Sequence, residues 1–365
     1  MDRNAKIYVA GHRGLVGSAI LRCLQAKGYT NILVRTHTEL DLCNQKLVSD
    51  FFADKRPEYV FIAAAKVGGI LANNIHRADF IYENLQIQNL IIHQSYLSQV
   101  KKLLFLGSSC VYPKECPQPM KEKYLLQGPL EYTNEPYAVA KIAGMKMCES
   151  YNLQYGTNYL MVMPTNAYGP NDSYDLENCH ALPALIRKFH LAKLASQDDW
   201  EGIQRDELIF GKIPEDIKTD LSFEASRPNT GDSIINNKPH VRLWGSGNPQ
   251  REFIYSEDIA DACVYIMENV NFKDLIKNNT DIRNTHINIG VGKEISIMAL
   301  AEMIKQVVGF KGDVIYDPTK PDGTMRKLLD VRKLNELGWK SNVSLKDGLR
   351  KTYANYLAKS SMDNV

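Results

Sequence analysis

Short apolar runs alternate with longer amphipathic stretches through the first half of the chain. Lys6-Ile7-Tyr8-Val9-Ala10, Asn31-Ile32-Leu33-Val34, Tyr59-Val60-Phe61-Ile62, Lys102-Leu103-Leu104-Phe105-Leu106 and Leu160-Met161-Val162-Met163 read as strands. Between them lie helical patterns: one through Ile20, Leu21 and Leu24 that ends near Gly28, one over 46–55, one over 81–97, and one that starts at Pro136 and stops at Gly156. Such alternation predicts an α/β fold built on a doubly wound parallel sheet.

After the loop Pro164-Thr165-Asn166-Ala167-Tyr168-Gly169-Pro170 the pattern loosens. Residues 180–193 read as a helix with Leu182, Leu185, Ile186 and Phe189 on its apolar side. Residues 195–240 are charged and polar, contain Pro214, Pro228 and Gly231, and read as an inserted excursion or mobile lid. Order resumes at Val241-Arg242-Leu243-Trp244; a helix over 258–268 and a strand His286-Ile287-Asn288-Ile289 return the chain to the sheet. The expected division is a dinucleotide-binding domain of 1–167 plus 251–291 and a smaller, mostly C-terminal α/β substrate domain of 168–250 plus 292–365, with 195–240 as the insertion.

The first strand runs directly into Gly11-His12-Arg13-Gly14-Leu15-Val16-Gly17 and then into a helix. Strand, glycine-rich turn, helix is the setting in which backbone can approach a pyrophosphate and the helix N-terminus favours its charge. The spacing is GxxGxxG. The second strand ends in Arg35-Thr36-His37, where an acidic residue would suit a ribose 2′-hydroxyl and a basic one suits a 2′-phosphate. Arg13 and Arg35 therefore point to NADPH.

Composition narrows the field further. A chain of 365 residues, 44% hydrophobic, can bury a large core. With 44 basic and 42 acidic residues the net charge is only +2, which gives no global electrostatic case for nucleic acid or an anionic membrane. No apolar run reaches the roughly 20 residues of a membrane helix, and no apolar signal segment follows Met1. Seven scattered cysteines without metal-ligand spacing suggest reduced thiols, a cytoplasmic location and no metal site.

Tyr137 and Lys141 are four residues apart, on one face of a helix and one turn from each other. An ammonium held there is expected to stabilise a neighbouring phenolate and lower the tyrosine pKa. Ser108 follows the strand Lys102–Leu106 at its carboxyl end, where its hydroxyl could bind a substrate oxygen. Cys110 is a thiol at the same strand end, and His180 opens the helix after the Pro164–Pro170 loop; a thiol and an imidazole can remove and return protons on carbons beside a ketone.

These stretches resemble the GDP-L-fucose synthase family of extended short-chain dehydrogenases. The matches are Ala10-Gly11-His12-Arg13-Gly14, Ala63-Ala64-Ala65-Lys66-Val67-Gly68-Gly69, Phe105-Leu106-Gly107-Ser108-Ser109-Cys110-Val111-Tyr112-Pro113, Asn134-Glu135-Pro136-Tyr137-Ala138, Met163-Pro164-Thr165-Asn166, Trp244-Gly245-Ser246-Gly247, Arg251-Glu252-Phe253 and Lys320-Pro321-Asp322-Gly323-Thr324. The resemblance implies a Rossmann sheet and a two-stage reaction on a GDP-4-keto sugar: 3,5-epimerisation with Cys110 as base and His180 as acid, then NADPH-dependent reduction at C4 with Ser108, Tyr137 and Lys141. It implies that the dinucleotide contacts Gly11, His12, Arg13, Gly14, Leu15, Val16, Gly17, Arg35, His37, Asp41, Leu42, Ala64, Leu106, Gly107, Ser109, Tyr137, Lys141, Pro164, Thr165, Asn166 and His180. For the sugar nucleotide it implies Ser108, Ser109, Asn166, Lys188, Trp244, Arg251, Lys320 and Asp322, and for assembly a homodimer through the helices over 81–97 and 137–155.

The chain departs from the family in four places. Lys188 stands where arginine is frequent, His37 where a second arginine is frequent, and Met325 where proline is usual. The connection 195–240 is long and borders the substrate side, so a GDP-4-keto-heptose is the alternative substrate. A non-catalytic dinucleotide sensor would typically lose the tyrosine or the lysine, and both are present.

Overall fold

The structure, a computed structural model, describes residues 1–222, 238–277, 282–320 and 322–360. Pro228, Gly231 and Pro321, used in the sequence argument, lie outside the described residues. Six parallel strands form the main sheet, in the order Ile287–Ile289, Tyr159–Pro164, Lys102–Leu106, Tyr59–Ile62, Ile7–Ala10 and Ile32–Leu33. The inner strands are nearly continuous apolar runs because both faces are covered. The second strand is only Ile32–Leu33, shorter than its apolar run suggests.

Helices Leu15–Ala26 and Ser256–Asn269 cover one face over a core that includes Ile20, Leu24, Phe61, Leu104, Ile259 and Ile287. Helices Gln45–Lys55, Arg77–Leu97 and Glu135–Tyr155 cover the other, over Tyr8, Phe52, Ile91, Phe105, Met145 and Met161. Each such fully buried side chain contributes about 1.5–3 kcal/mol relative to exposure. Pro136 lies in the first turn of Glu135–Tyr155 and Gly156, with φ +67°, ends it. Inside that helix Gly144 permits close approach: a Cβ there would lie 2.7 Å from the Phe105 ring and 2.8 Å from the Gln88 amide. Gln88 in turn donates to the Ala140 carbonyl at 2.6 Å and locks the two long helices together.

The chain separates into two compact units. The first is Met1–Asn171, Glu252–Lys293 and Lys327–Val343; the second is Asp172–Arg251, Glu294–Arg326 and Ser344–Val365. The expected assignment of all of 292–365 to the substrate domain needs correction, because Leu334 and Trp339 are buried in the core of the first unit. The reading of 195–240 as a loose excursion is also corrected for its described part. Helices Trp200–Phe210 and Glu215–Asp220 occupy it, with Ile203, Ile213, Ile217 and Leu221 buried. In the second unit Val241–Trp244 pairs in parallel with Val314–Asp317. No helix among the described residues is long and apolar enough to cross a membrane.

Candidate active site

Strand order reverses between Ile7–Ala10 and Tyr59–Ile62, and a doubly wound sheet binds its ligand at the carboxyl ends beside such a reversal. Gly11 occupies this point with φ +84°, and a Cβ on it would lie 2.6 Å from the Ala64 nitrogen. At Gly17 a Cβ would lie 2.1 Å from the Gly11 carbonyl oxygen, so the helix can start this close to the turn only with glycine there. The helix begins after Gly14 without a side-chain cap, which leaves its first amides to face an anion. Arg13 and His37 are exposed at this edge. Arg35 sits over the Phe51 ring at 5.6 Å and donates to the Val34 carbonyl at 2.7 Å. Asp41 accepts from the Cys43 amide at 2.9 Å. The uncapped helix start and the Arg13 and Arg35 cations could take a phosphate; the Asp41 carboxylate could not.

Across the sheet the Lys102–Leu106 strand delivers Gly107 and Ser108, whose hydroxyl accepts from the Cys110 amide at 3.4 Å and starts the short turn Ser109–Val111. That turn packs on the helix Glu135–Tyr155. Cys110 is buried; burial pushes its thiol pKa up, and Lys327 and Lys141 pull it part of the way back. Lys141, 3% exposed, donates to the Leu106 carbonyl at 2.9 Å, with its nitrogen 4.8 Å from the Phe105 ring centre and 5.8 Å from that of Tyr137. Burial lowers its pKa to about 8. Tyr137, edge-on to Phe80 at 6.4 Å, has its pKa raised by burial and then by Cys110. The expectation that Lys141 lowers the phenol pKa is therefore corrected: desolvation dominates, and the ammonium is turned to a carbonyl.

Two positioning groups had no signal in the spacing of residues. Glu252 is buried; one carboxylate oxygen accepts from the amides of Val291 and Gly292, both at 2.7 Å, and the other from Leu329 at 2.9 Å. Its carbonyl accepts from Thr165 Oγ1 at 3.2 Å and Asn166 Nδ2 at 2.8 Å, which fixes the segment after Pro164 as a short strand, Asn166–Tyr168, paired with Phe253–Tyr255. Tyr112, just beyond the Cys110 turn, lies 2.8 Å from His286 Nε2 and donates to Asn288 Oδ1 at 2.6 Å, all three buried. Only the long-range partners reveal these roles.

In the second unit His180 directly precedes the helix Ala181–Ala195; its surface is exposed, and the surrounding protein lowers its pKa. Lys188, two turns along, is partly buried, and its ammonium makes no hydrogen bond or ion pair among the described residues. Trp244 is 61% exposed with the Lys320 ammonium 5.3 Å above its ring. Asp322 accepts from the Ser246 amide and hydroxyl at 2.9 and 2.7 Å, and Arg251 is held by the Gln250 and Thr324 carbonyls. The structure thus brings Ser108, Ser109, Cys110, Tyr137 and Lys141 together in one unit, and Trp244, Arg251, Lys320 and Asp322 together in the other. Among the described residues no group of three or more acidic, histidine or cysteine side chains could hold a metal.

The model of the family described as "NAD dependent epimerase/dehydratase family" matches residues 7–212 and 229–290. The chain belongs to that family. It is 50% identical over 357 residues to a putative GDP-L-fucose synthase 2 of Arabidopsis thaliana, covering 98% of this chain and 93% of the relative. Identity to the GDP-L-fucose synthase of Escherichia coli strain K12 is 46%, covering 96% of each. A crystal structure of a GDP-D-glycero-L-gluco-heptose synthase from Campylobacter jejuni, in the presence of NADPH, is 45% identical with a TM-score of 0.86, covering 98% of this chain and 99% of that one. This member of the epimerase/dehydratase family is an enzyme, and its six-stranded parallel sheet is the doubly wound one that the alternation of strands and helices predicts.

Proposed function

We propose that the chain is an NADPH-dependent 3,5-epimerase and 4-reductase of a GDP-4-keto-6-deoxy-mannose-type sugar, giving GDP-L-fucose. The observation that carries this reading is the buried Cys110 thiol, electrostatically coupled to Tyr137 and Lys141. Reduction alone needs the phenol and the ammonium but not the thiol.

A ketone at C4 acidifies the hydrogens on C3 and C5. Cys110 as thiolate takes such a proton, and His180 as imidazolium returns one to the opposite face of the carbon. Its lowered pKa makes that imidazolium the stronger acid. Ser108 donates to the C4 oxygen and stabilises the enolate charge. When NADPH is bound, its nicotinamide would supply the hydride for C4. Tyr137, held protonated by burial, then gives its proton to the C4 oxygen. Gly11 to Gly17, Arg35, His37, Asp41, Leu42, Ala64, Leu106, Gly107, Pro164 and Thr165 hold the dinucleotide. Lys188 and Arg251 offer charge to the diphosphate, Trp244 offers a flat surface, and Ser109, Asn166, Lys320 and Asp322 complete the sugar-nucleotide set.

A second reading is supported by the Campylobacter jejuni heptose synthase: C4 reduction of a GDP-4-keto-heptose, with or without epimerisation. Incubation with hexose and heptose substrates side by side in deuterated water separates the two. The expected result is deuterium at C3 and C5 of the hexose product and the higher kcat/KM for the hexose. Higher kcat/KM for the heptose transfers the assignment, and absence of deuterium from both products removes the epimerase.

The same reading places a homodimer contact on helices Arg77–Leu97 and Glu135–Tyr155. Tyr82, Leu97, Val139, Leu153 and Tyr155 expose apolar surface there, and Tyr96 stacks on Tyr155 at 4.3 Å. Light scattering at the mass of two chains is the expected outcome. The seven free cysteines support a cytoplasmic location.

A further inference from the structure

The described part of the segment after Ala195 is tied at both ends to elements that carry nucleotide-binding candidates. Arg187 has no exposed surface. Its Nε donates to Asp206 Oδ1 at 2.8 Å, and one terminal nitrogen donates to the Tyr174 and Phe210 carbonyls, both at 3.0 Å. The other terminal nitrogen donates to the Gly211 carbonyl. The second Asp206 oxygen accepts from the Tyr356 hydroxyl, and the Tyr356 ring stacks on Phe210 at 4.6 Å. At the other end Asp220 accepts from Arg242 Nε and Nη2 at 3.1 and 2.8 Å, with His240 Nε2 3.1 Å away.

We propose that residues 200–221 are a brace that positions Lys188 and Trp244 for the nucleotide sugar, with Arg187, Asp206 and Asp220 as positioning residues. The inference rests on the assignment of Lys188 and Trp244 to that ligand.

A guanidinium is a rigid planar fork of five donors. With Arg187 bound on every side, the helix Ala181–Ala195 cannot turn about its axis without breaking that set. Lys188 is the next residue, so its direction is fixed by the same bonds. A buried ion pair is weak evidence for stability; what this one supplies is orientation. Arg242 and Trp244 are two apart on one strand and share a face. Holding Arg242 against Asp220 therefore fixes the twist of the strand end that carries Trp244. Asp220 serves both elements, because it and Asp216 also oppose the loss of charge that burial imposes on Lys188.

The test is calorimetric titration of the intact chain with GDP and, separately, with NADPH. Asp206→Asn removes the carboxylate that Arg187 needs, and Tyr356→Phe removes only one bond to it and serves if the first variant does not fold. Lys188→Met is the reference. The expected result is GDP affinity about tenfold weaker in Asp206→Asn and a few-fold weaker in Tyr356→Phe, with NADPH affinity unchanged. Wild-type GDP affinity in both brace variants, beside a weakened Lys188→Met, overturns the brace and leaves the site assignment standing. Equal loss of GDP and NADPH affinity overturns it too, since that is general destabilisation. Wild-type GDP affinity in Lys188→Met overturns the site assignment itself, and the brace with it.

Discussion

The buried ammonium of Lys141 is a stability cost that the fold carries for the sake of the site, and its size can be worked out. Among the described residues its one hydrogen bond runs to the Leu106 carbonyl, and two aromatic rings flank it. Burial moves its pKa from the ordinary 10.5 to about 8. At pH 7 the lysine is charged in both the folded and the unfolded chain, so the folded chain bears the whole penalty. At about 1.4 kcal/mol per pH unit this is about 3 kcal/mol. Between about pH 8 and 10.5 the unfolded chain binds more protons than the folded one, so stability rises with pH. By pH 10 about 1 kcal/mol of the penalty remains.

Lys141→Met keeps an unbranched stem and removes the charge. The bond to Leu106 is lost at every pH, at about 1–2 kcal/mol, so the informative quantity is the change in the difference between the two chains. Urea unfolding of both proteins at pH 7 and at pH 10, without nucleotide, measures it. Relative to wild type, the variant should lose about 2 kcal/mol of stability on going from pH 7 to pH 10. Parallel pH profiles would refute the claim that the ammonium is desolvated. The variant should also lose C4 reduction at both pH values.

Other perturbations address the rest of the site. Cys110→Ala should reduce deuterium exchange at C3 and C5 by about 100-fold or more while Tyr137→Phe spares exchange and abolishes reduction. In the wild type, the thiolate fraction of Cys110 rises with pH while the imidazolium fraction of His180 falls. Exchange should therefore stay nearly level over roughly pH 7 to 8, between the lowered imidazole and the raised thiol; a rise of about tenfold per pH unit there contradicts the need for the imidazolium. Gly17→Ala drives a Cβ onto the Gly11 carbonyl, and should cost about 1–3 kcal/mol together with NADPH affinity, read by melting temperature and fluorescence titration. Tyr112→Phe leaves His286 Nε2 and Asn288 Oδ1 without their buried partner, and should lower unfolding free energy by about 1–3 kcal/mol.

Local pattern made the strands, the glycine turn and the Tyr137–Lys141 pair legible, because each rests on spacing within about one turn or one strand. Gly11 is a case in point: strand, glycine and helix are contiguous, so the turn declares itself. The direction of the Lys141 ammonium does not follow from spacing, since the Leu106 carbonyl that captures it is 35 residues away. Residues 200–221 looked polar because their buried apolar positions are few: Ile203 and Ile217 on two short helices, and Ile213 and Leu221 in the residues that follow them. What orders them is Asp206 on Arg187, a charge pair that reads as surface in a linear sequence. Residues 327–343 misled for the opposite reason: position near the C-terminus suggested the second unit, while Trp339 donates to Asp261 at 2.8 Å and packs in the first core.

Burial pushes Cys110 and Tyr137 up and Lys141 down, which holds the thiol and the phenol neutral at pH 7 and weakens, without removing, the charge on Lys141. They are coupled: thiolate charge on Cys110 raises both of the other two, and the ammonium of Lys141 lowers the thiol. The state that ionises most readily is therefore a thiolate–ammonium pair beside a neutral phenol. That state suits an order of events in which Cys110 acts first, because the charge that makes it a base also keeps the proton on Tyr137. Once the thiol is reprotonated, the phenol is released from that influence and gives up its proton more easily. In Cys110→Ala the influence is permanently absent, so hydride transfer to an already epimerised 4-keto sugar, the step that takes the Tyr137 proton, should be no slower than in the wild type, as single-turnover NADPH oxidation would record. A reduction slowed as much as the exchange would break the order in which the two groups act.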